Sequence, residues 1–156
     1  FILPEAIIQS TNETVPGIDG QKMSKSYGNI IPLLSTEKQL KKSIAKIVTN
    51  SLEPGDPKNP SNCTVFALYK YFASKPMVDE LCDDYKKGIS WGDAKNKLFE
   101  VLNNEITPIR ESYEKLQEDK DFINDLLSDG SNKVRPIAKE LLDSIRSLVG
   151  INKISQ

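Results

Sequence analysis

Histidine is absent from all 156 residues. Without it there is no Ser/His or Cys/His nucleophile pair and no imidazole-based metal site. Cysteine is scarce as well. Cys63 and Cys82 are the only two, so the expectation is a pair of packed thiols and no metal centre. No apolar run approaches the roughly 20 residues that a membrane span needs, and no membrane partner is expected. The N-terminus lacks the basic stretch of a secretory signal. It opens instead on Phe1-Ile2-Leu3, an apolar run typical of a buried strand with nothing before it to pair with. That opening predicts a chain that begins inside a domain. An apolar fraction of 38% and a charged fraction of 28% describe a globular protein able to build a core.

Charge is unevenly placed although the net value is only −1. Residues 36–50 carry four lysines against Glu37, net +3. Residues 51–130 carry ten basic and sixteen acidic side chains, net −6, and residues 131–156 carry five and two, net +3. An acidic middle between two basic segments fits polyanion contact at defined places, and solvated helix faces fit it equally.

Residues 1–9 read as a short strand, and residues 15–29 as a loop rich in turn chemistry: Pro16-Gly17, Asp19-Gly20 and Gly28-Asn29. After Pro32 the pattern is helical. Thr36 and Gln39 form a capping box ahead of Leu40, Ile44, Ile47 and Val48. Four prolines and glycines over residues 51–61 predict a long surface loop. A helix over 62–74 is dense in Val65, Phe66, Leu68, Tyr69, Tyr71 and Phe72. Pro76 opens a third helix that stops at Gly88. A fourth begins at Ser90 and Asp93 and carries a stripe from Leu98 through Ile109, Tyr113 and Leu116, with a kink expected at Pro108. A short helix over 120–128 is expected to end at Gly130. A last one over 131–150 carries Val134, Ala138, Leu141, Leu142, Ile145 and Val149. The fold class is therefore mainly α, five or six helices behind a strand and a loop.

Chemistry concentrates in the loop. Lys22 and Lys25 alternate with Ser24 and Ser26 among glycines 17, 20 and 28. Lysine supplies a mobile positive charge for phosphate oxygens, and hydroxyls and loop amides add donors. On residue types alone, a phosphate-binding loop and a solvent-exposed lysine/serine turn both fit.

The string Lys22-Met23-Ser24-Lys25-Ser26 is the KMSKS motif of class I aminoacyl-tRNA synthetases. Around it, Leu3-Pro4-Glu5-Ala6, Pro16-Gly17-Ile18-Asp19-Gly20, Tyr27-Gly28-Asn29, Pro57-Lys58-Asn59-Pro60, Phe66-Ala67-Leu68-Tyr69 and Asp129-Gly130 resemble bacterial-type tryptophanyl-tRNA synthetases. The resemblance covers essentially the whole chain. It implies a ligase that joins tryptophan to its tRNA through an adenylate, with ATP as substrate and Mg2+ accompanying the nucleotide. Lys25, helped by Lys22, would stabilise the departing pyrophosphate. Met23 and the backbone at Val15 would lie against the adenine, and Ser24 and Ser26 would orient the loop and donate to phosphate oxygens.

The same resemblance implies that residues 1–34 close a Rossmann-like catalytic domain whose main part lies upstream. Residues 35–156 would form the helical tRNA anticodon-binding region, with the helix over 131–150 packing back on the catalytic domain. Lys38, Lys41, Lys42, Lys46, Arg135, Lys139 and Arg146 are the candidates for tRNA backbone contact. The implied partners are tRNA(Trp), tryptophan and a second copy of the intact enzyme, in the cytoplasm. The family's other ATP-binding motif, of HIGH type, and the indole pocket are not among these residues, so the chain alone is expected to be inactive. Two other readings fit the same residues: a piece of a tyrosyl-tRNA synthetase, and a free-standing helical domain that binds RNA or regulates a partner.

Overall fold

The structure, a computed structural model, describes residues 3–5 and 14–151. Among them are five α-helices and no strand longer than the isolated pairing of Pro16 with Lys22. The strand expected over 1–9 lies outside the described residues, except that 3–5 have no regular structure. By its internal contacts the chain divides into two units, Phe1–Glu111 and Ser112–Gln156.

In the first unit, α1 (Glu37–Ala45) starts as its sequence requires. Thr36 Oγ1 accepts from the Gln39 amide at 3.3 Å, and the Gln39 side chain accepts from the Thr36 amide at 3.0 Å. Two otherwise orphaned amides are thereby satisfied, which favours the helix by roughly 1 kcal/mol. Leu40, Ile44 and Ile47 are buried as expected, but Val48, beyond the end of the helix at Ala45, is exposed. Next come α2 (Thr64–Phe72) and α3 (Lys75–Lys86). Gly88 follows α3 with φ +87°, a conformation open to glycine, and it lies directly against the Gly55 backbone, where a Cβ would overlap. Ser90 then caps α4 (Trp91–Glu118), accepting from the Asp93 amide at 3.0 Å.

The core is built from α1, α2, α3 and the first half of α4. At its centre is Tyr85, wholly buried and edge-on to both Phe66 and Trp91 at centroid distances of 5.5 and 5.9 Å. Its hydroxyl lies 3.3 Å from Cys63 Sγ, and burial pushes the Tyr85 pKa far up. Each buried leucine or isoleucine here contributes about 1.5–3 kcal/mol. Two aromatics expected in the core, Tyr71 and Phe72, are instead exposed at the end of α2. Both cysteines are free and half-buried.

The second unit holds the main departure from the expected elements. A single helix, α5 (Lys120–Leu148), replaces the two expected over 120–128 and 131–150. It runs through Gly130 and Pro136. Gly130 has no positive φ, so it does not form the left-handed stop that was expected. A glycine inside a helix costs only about 1 kcal/mol relative to alanine, too little to end a long one. Asp119 caps the start, its carboxylate accepting from the Phe122 amide at 3.0 Å. Gly150, φ +76°, follows the end as anticipated. None of the α5 residues is buried, and Val134, Leu141 and Leu142 are exposed. Ile109, Tyr113 and Leu116 of α4 are exposed too, so the apolar stripe expected to pack does so only as far as Ile106.

Candidate active-site loop

Residues 15–29 form a closed loop whose base is tied by backbone bonds. The Met23 amide donates to Val15 O at 2.9 Å, Gly17 to Gln21 O at 2.7 Å and Ile18 to Asn29 O at 3.0 Å. The Val48 amide donates to Ile18 O at 2.9 Å and fastens the loop to the exit of α1. Ile18 and Met23 pack against the core. From this anchored base the tip Lys25–Tyr27 projects as one exposed 3-10 turn, closed by Gly28 donating to Lys25 O at 3.1 Å.

The loop brings together all six residues that the sequence singles out for nucleotide contact. Val15 and Met23 meet through their backbones, and Lys22, paired with Pro16, immediately precedes Met23. Ser24 Oγ and Ser26 Oγ lie 2.8 Å apart. Lys22 and Lys25 are exposed, and neither forms an ion pair among the described residues. Two uncompensated ammonium groups beside two hydroxyls suit a ligand with several oxyanions. A nucleotide triphosphate has that character, so the residues fit it.

Turn chemistry alone left one residue of this loop without a role. Asn29, only 2% exposed, joins three other parts of it. Its Oδ1 accepts from the Ser24 amide at 2.8 Å, while Nδ2 donates to Asp19 Oδ1 at 2.8 Å and to Lys22 O at 3.1 Å. Asp19 Oδ1 also accepts from the Gln21 amide at 3.0 Å. The Asn29 hydrogen bond, with smaller help from the backbone at Gln21, holds the Asp19 carboxyl below the usual carboxylate range. Gly17 is packed so closely on the Asn29 carboxamide that a Cβ there would overlap it. Asx residues next to glycines read from sequence as turns, and the spacing from 19 to 29 is the only signal of the pair.

The basic candidates fall in different places. Lys42 and Lys46 line one cleft of about 500 Å³ with Pro32, Leu34, Ser35, Gln39 and Ser43. Lys41 lies over the Phe99 ring at 5.4 Å, in a second cleft of about 340 Å³ with Trp91 and Lys95. Lys38 lines neither and is exposed. On α5, Lys139 and Arg146 share the Asp143 carboxylate at 3.0 and 3.8 Å, and Arg135 donates to Ser131 Oγ at 3.1 Å.

Known proteins resemble the chain over most of its length. The model of the family described as tRNA synthetases class I (W and Y) matches residues 1–107. The tryptophan–tRNA ligase of Pseudomonas aeruginosa is 44% identical over 156 residues, which are 100% of this chain and 35% of that protein. That of Neisseria meningitidis is 42% identical over 154 residues, covering 99% of this chain and 46% of the relative. Among solved structures, the tryptophanyl-tRNA synthetase of Campylobacter jejuni complexed with ADP and tryptophan superposes with a TM-score of 0.86 at 40% identity, over 95% of this chain and 47% of that one. The chain thus spans between a third and a half of the length of these relatives. With its KMSKS loop and the family match over 1–107, the chain belongs to the class I tRNA synthetases of the tryptophan and tyrosine branch.

Proposed function

We propose that the chain is the C-terminal part of a tryptophanyl-tRNA synthetase acting in the cytoplasm. The intact enzyme joins tryptophan to ATP. A carboxylate oxygen of tryptophan bonds to the α-phosphorus, the bond to the bridging oxygen breaks, and pyrophosphate leaves with the electron pair. A hydroxyl at the 3′ end of tRNA(Trp) then bonds to the tryptophanyl carbonyl carbon, and AMP leaves. The observation that carries this reading is the KMSKS sequence on an anchored loop, with both lysines exposed and neither in an ion pair among the described residues. Lys25 meets the charge that grows on the departing pyrophosphate, and Lys22 supplies the second positive charge. Ser24 and Ser26 donate to phosphate oxygens, and Val15 and Met23 border the adenine. Mg2+ arrives on the nucleotide.

Residues 1–34 then close a Rossmann-like catalytic domain, and 35–156 form the helical region facing the tRNA anticodon arm, with the last helix packing back on the catalytic domain. The intact enzyme works as a homodimer. The clustering of Lys42 and Lys46 on one cleft favours those two for contact with the tRNA backbone over Lys139 and Arg146, whose charges Asp143 partly offsets. ATP–pyrophosphate exchange by the full-length protein, run with each amino acid, tests the proposal. Exchange is expected with tryptophan. Exchange with tyrosine alone would make it a tyrosyl enzyme. RNA binding without exchange for any amino acid would make it a non-catalytic helical domain.

A further inference from the structure

Asn29 and Asp19 lie outside the KMSKS string, yet the Asn29 side chain is the most connected in the loop. Its contacts are placed in a particular way. Lys22 O belongs to the peptide plane between Lys22 and Met23, and the Ser24 amide to the plane between Met23 and Ser24. By donating to the first and accepting from the second, one carboxamide fixes two consecutive peptide planes. Those planes set the direction in which Lys22 leaves the backbone and the start of the turn that carries Lys25. Asp19 holds the carboxamide in turn, by taking its Nδ2. We propose that Asn29, oriented by Asp19, is a positioning residue that presents the two lysines of the KMSKS loop to the phosphates in one geometry; this rests on the functional reading above.

A side chain with an acceptor on one side and two donors on the other is required here, and only a carboxamide has that form at this length. Shape alone is not enough. Aspartate at 29 would still accept from the Ser24 amide. It would, however, set a second carboxylate against Asp19 Oδ1 and an acceptor against Lys22 O. The clamp is not the only tie on the loop. The base of the loop is held by the backbone bonds from Met23 to Val15, Gly17 to Gln21 and Val48 to Ile18, none of which involves the Asn29 side chain. Loss of the clamp therefore disturbs lysine placement while the α1 connection persists.

The test uses the full-length synthetase and three variants: Asn29→Asp, Asn29→Ala and the reversed pair Asp19→Asn/Asn29→Asp. In the reversed pair an amide at 19 again faces a carboxylate at 29, which restores the donor–acceptor match between the two positions while Lys22 O still faces an acceptor. Both single variants should lower kcat for pyrophosphate exchange roughly 10- to 100-fold, the scale of a misplaced catalytic group. KM for tryptophan should stay at its wild-type value, and the melting temperature should fall modestly in both as the buried hydrogen bonds are lost. The reversed pair should recover part of the kcat lost in Asn29→Asp, about threefold or more, because the 19–29 bond returns and the bond to Lys22 O does not. Hydrogen exchange at the Ser24 amide, read on the same proteins, should accelerate in both single variants. Wild-type kcat in Asn29→Asp, equal losses in kcat and tryptophan KM, or a reversed pair no better than the single variant would each overturn the proposal. If the wild-type protein supports no exchange at all, the functional reading fails instead. Unchanged Ser24 amide protection in the single variants would then still refute the clamp.

Discussion

Lys58 is expected to act as a latch on the long loop over 51–61, and removing its ammonium should loosen that loop by a measurable amount. A lysine only 3% exposed is unusual, since the group must find partners for its charge. Here Nζ donates to Glu53 O at 2.8 Å and Asp56 O at 3.1 Å, and it lies 5.4 Å from the centre of the Trp91 ring. Hydrogen bonds to a charged group contribute about 1.5–3 kcal/mol each when both ends are buried. Glu53 and Asp56 are exposed, so water can recover much of that at their carbonyls. The ring contact adds about 0.5–1 kcal/mol. Lys58→Met keeps the length and apolar packing of the stem and removes the charge, so the net loss should be about 2 kcal/mol. That corresponds to roughly a 30-fold rise in the opening equilibrium. The loop carries its own reporters. The Gly55 amide donates to Gly88 O and the position 58 amide to Tyr85 O, each at 2.8 Å. Their hydrogen exchange should quicken by about that factor, while amides inside α4 keep their rates. Lys58→Ala also removes methylenes at about 0.8 kcal/mol each, so its effect should be larger. Equal exchange in wild type and Lys58→Met would refute the latch. A full effect in Ala with none in Met would assign the hold to the stem alone.

Three further outcomes follow from the loop and its surroundings. Lys25→Ala in the full-length protein should lower kcat for pyrophosphate exchange far more than it weakens tryptophan binding, because its charge is felt mainly in the transition state; equal losses would contradict that. Asp19 is ionised more readily in the fold than in a free chain, so its contribution is present at neutral pH and lost only as pH falls through the lowered pKa. An NMR titration of its carboxyl carbon should therefore find a midpoint below the ordinary 3.8, and one at or above that value would contradict the bond to Asn29. Lys42→Glu/Lys46→Glu should weaken tRNA binding and flatten its salt dependence while pyrophosphate exchange continues unchanged. Unaltered tRNA affinity would remove their cleft from the tRNA-facing surface.

Much of the helical core was legible because its signals are local. The Thr36/Gln39 box, Pro76 near the start of α3 and Gly88 after its end mark boundaries through chemistry confined to a few residues. What failed to be legible depends on partners distant in sequence. Gly130 resembles a helix stop, but it stops a helix only if the next bonds favour a left-handed turn, and in α5 they do not. The stripes on α5 and on α4 beyond Ile106 show that a periodic pattern marks an apolar face without saying whether anything within the described residues covers it. Lys58 reads as surface because lysines in proline-rich loops generally are. Only the folding of residues 53–56 around its ammonium, which lies over the Trp91 ring, reveals otherwise. The KMSKS string itself was readable at once, being contiguous. Its clamp was not, because Asp19 and Asn29 meet only when the loop closes.

Under the proposed function, the lack of an ion pair on Lys22 and Lys25 among the described residues has a kinetic meaning as well as a chemical one. Two bare positive charges on an exposed turn extend their field outward over about 8–10 Å at moderate salt, and a triphosphate approaching from solvent meets that field before it meets a hydroxyl or an amide. If the loop takes ATP as proposed, capture of the nucleotide is partly an encounter governed by screening, with an association rate that falls as ionic strength rises. A carboxylate placed beside either lysine would blunt that capture even if every hydrogen bond in the bound state were left intact.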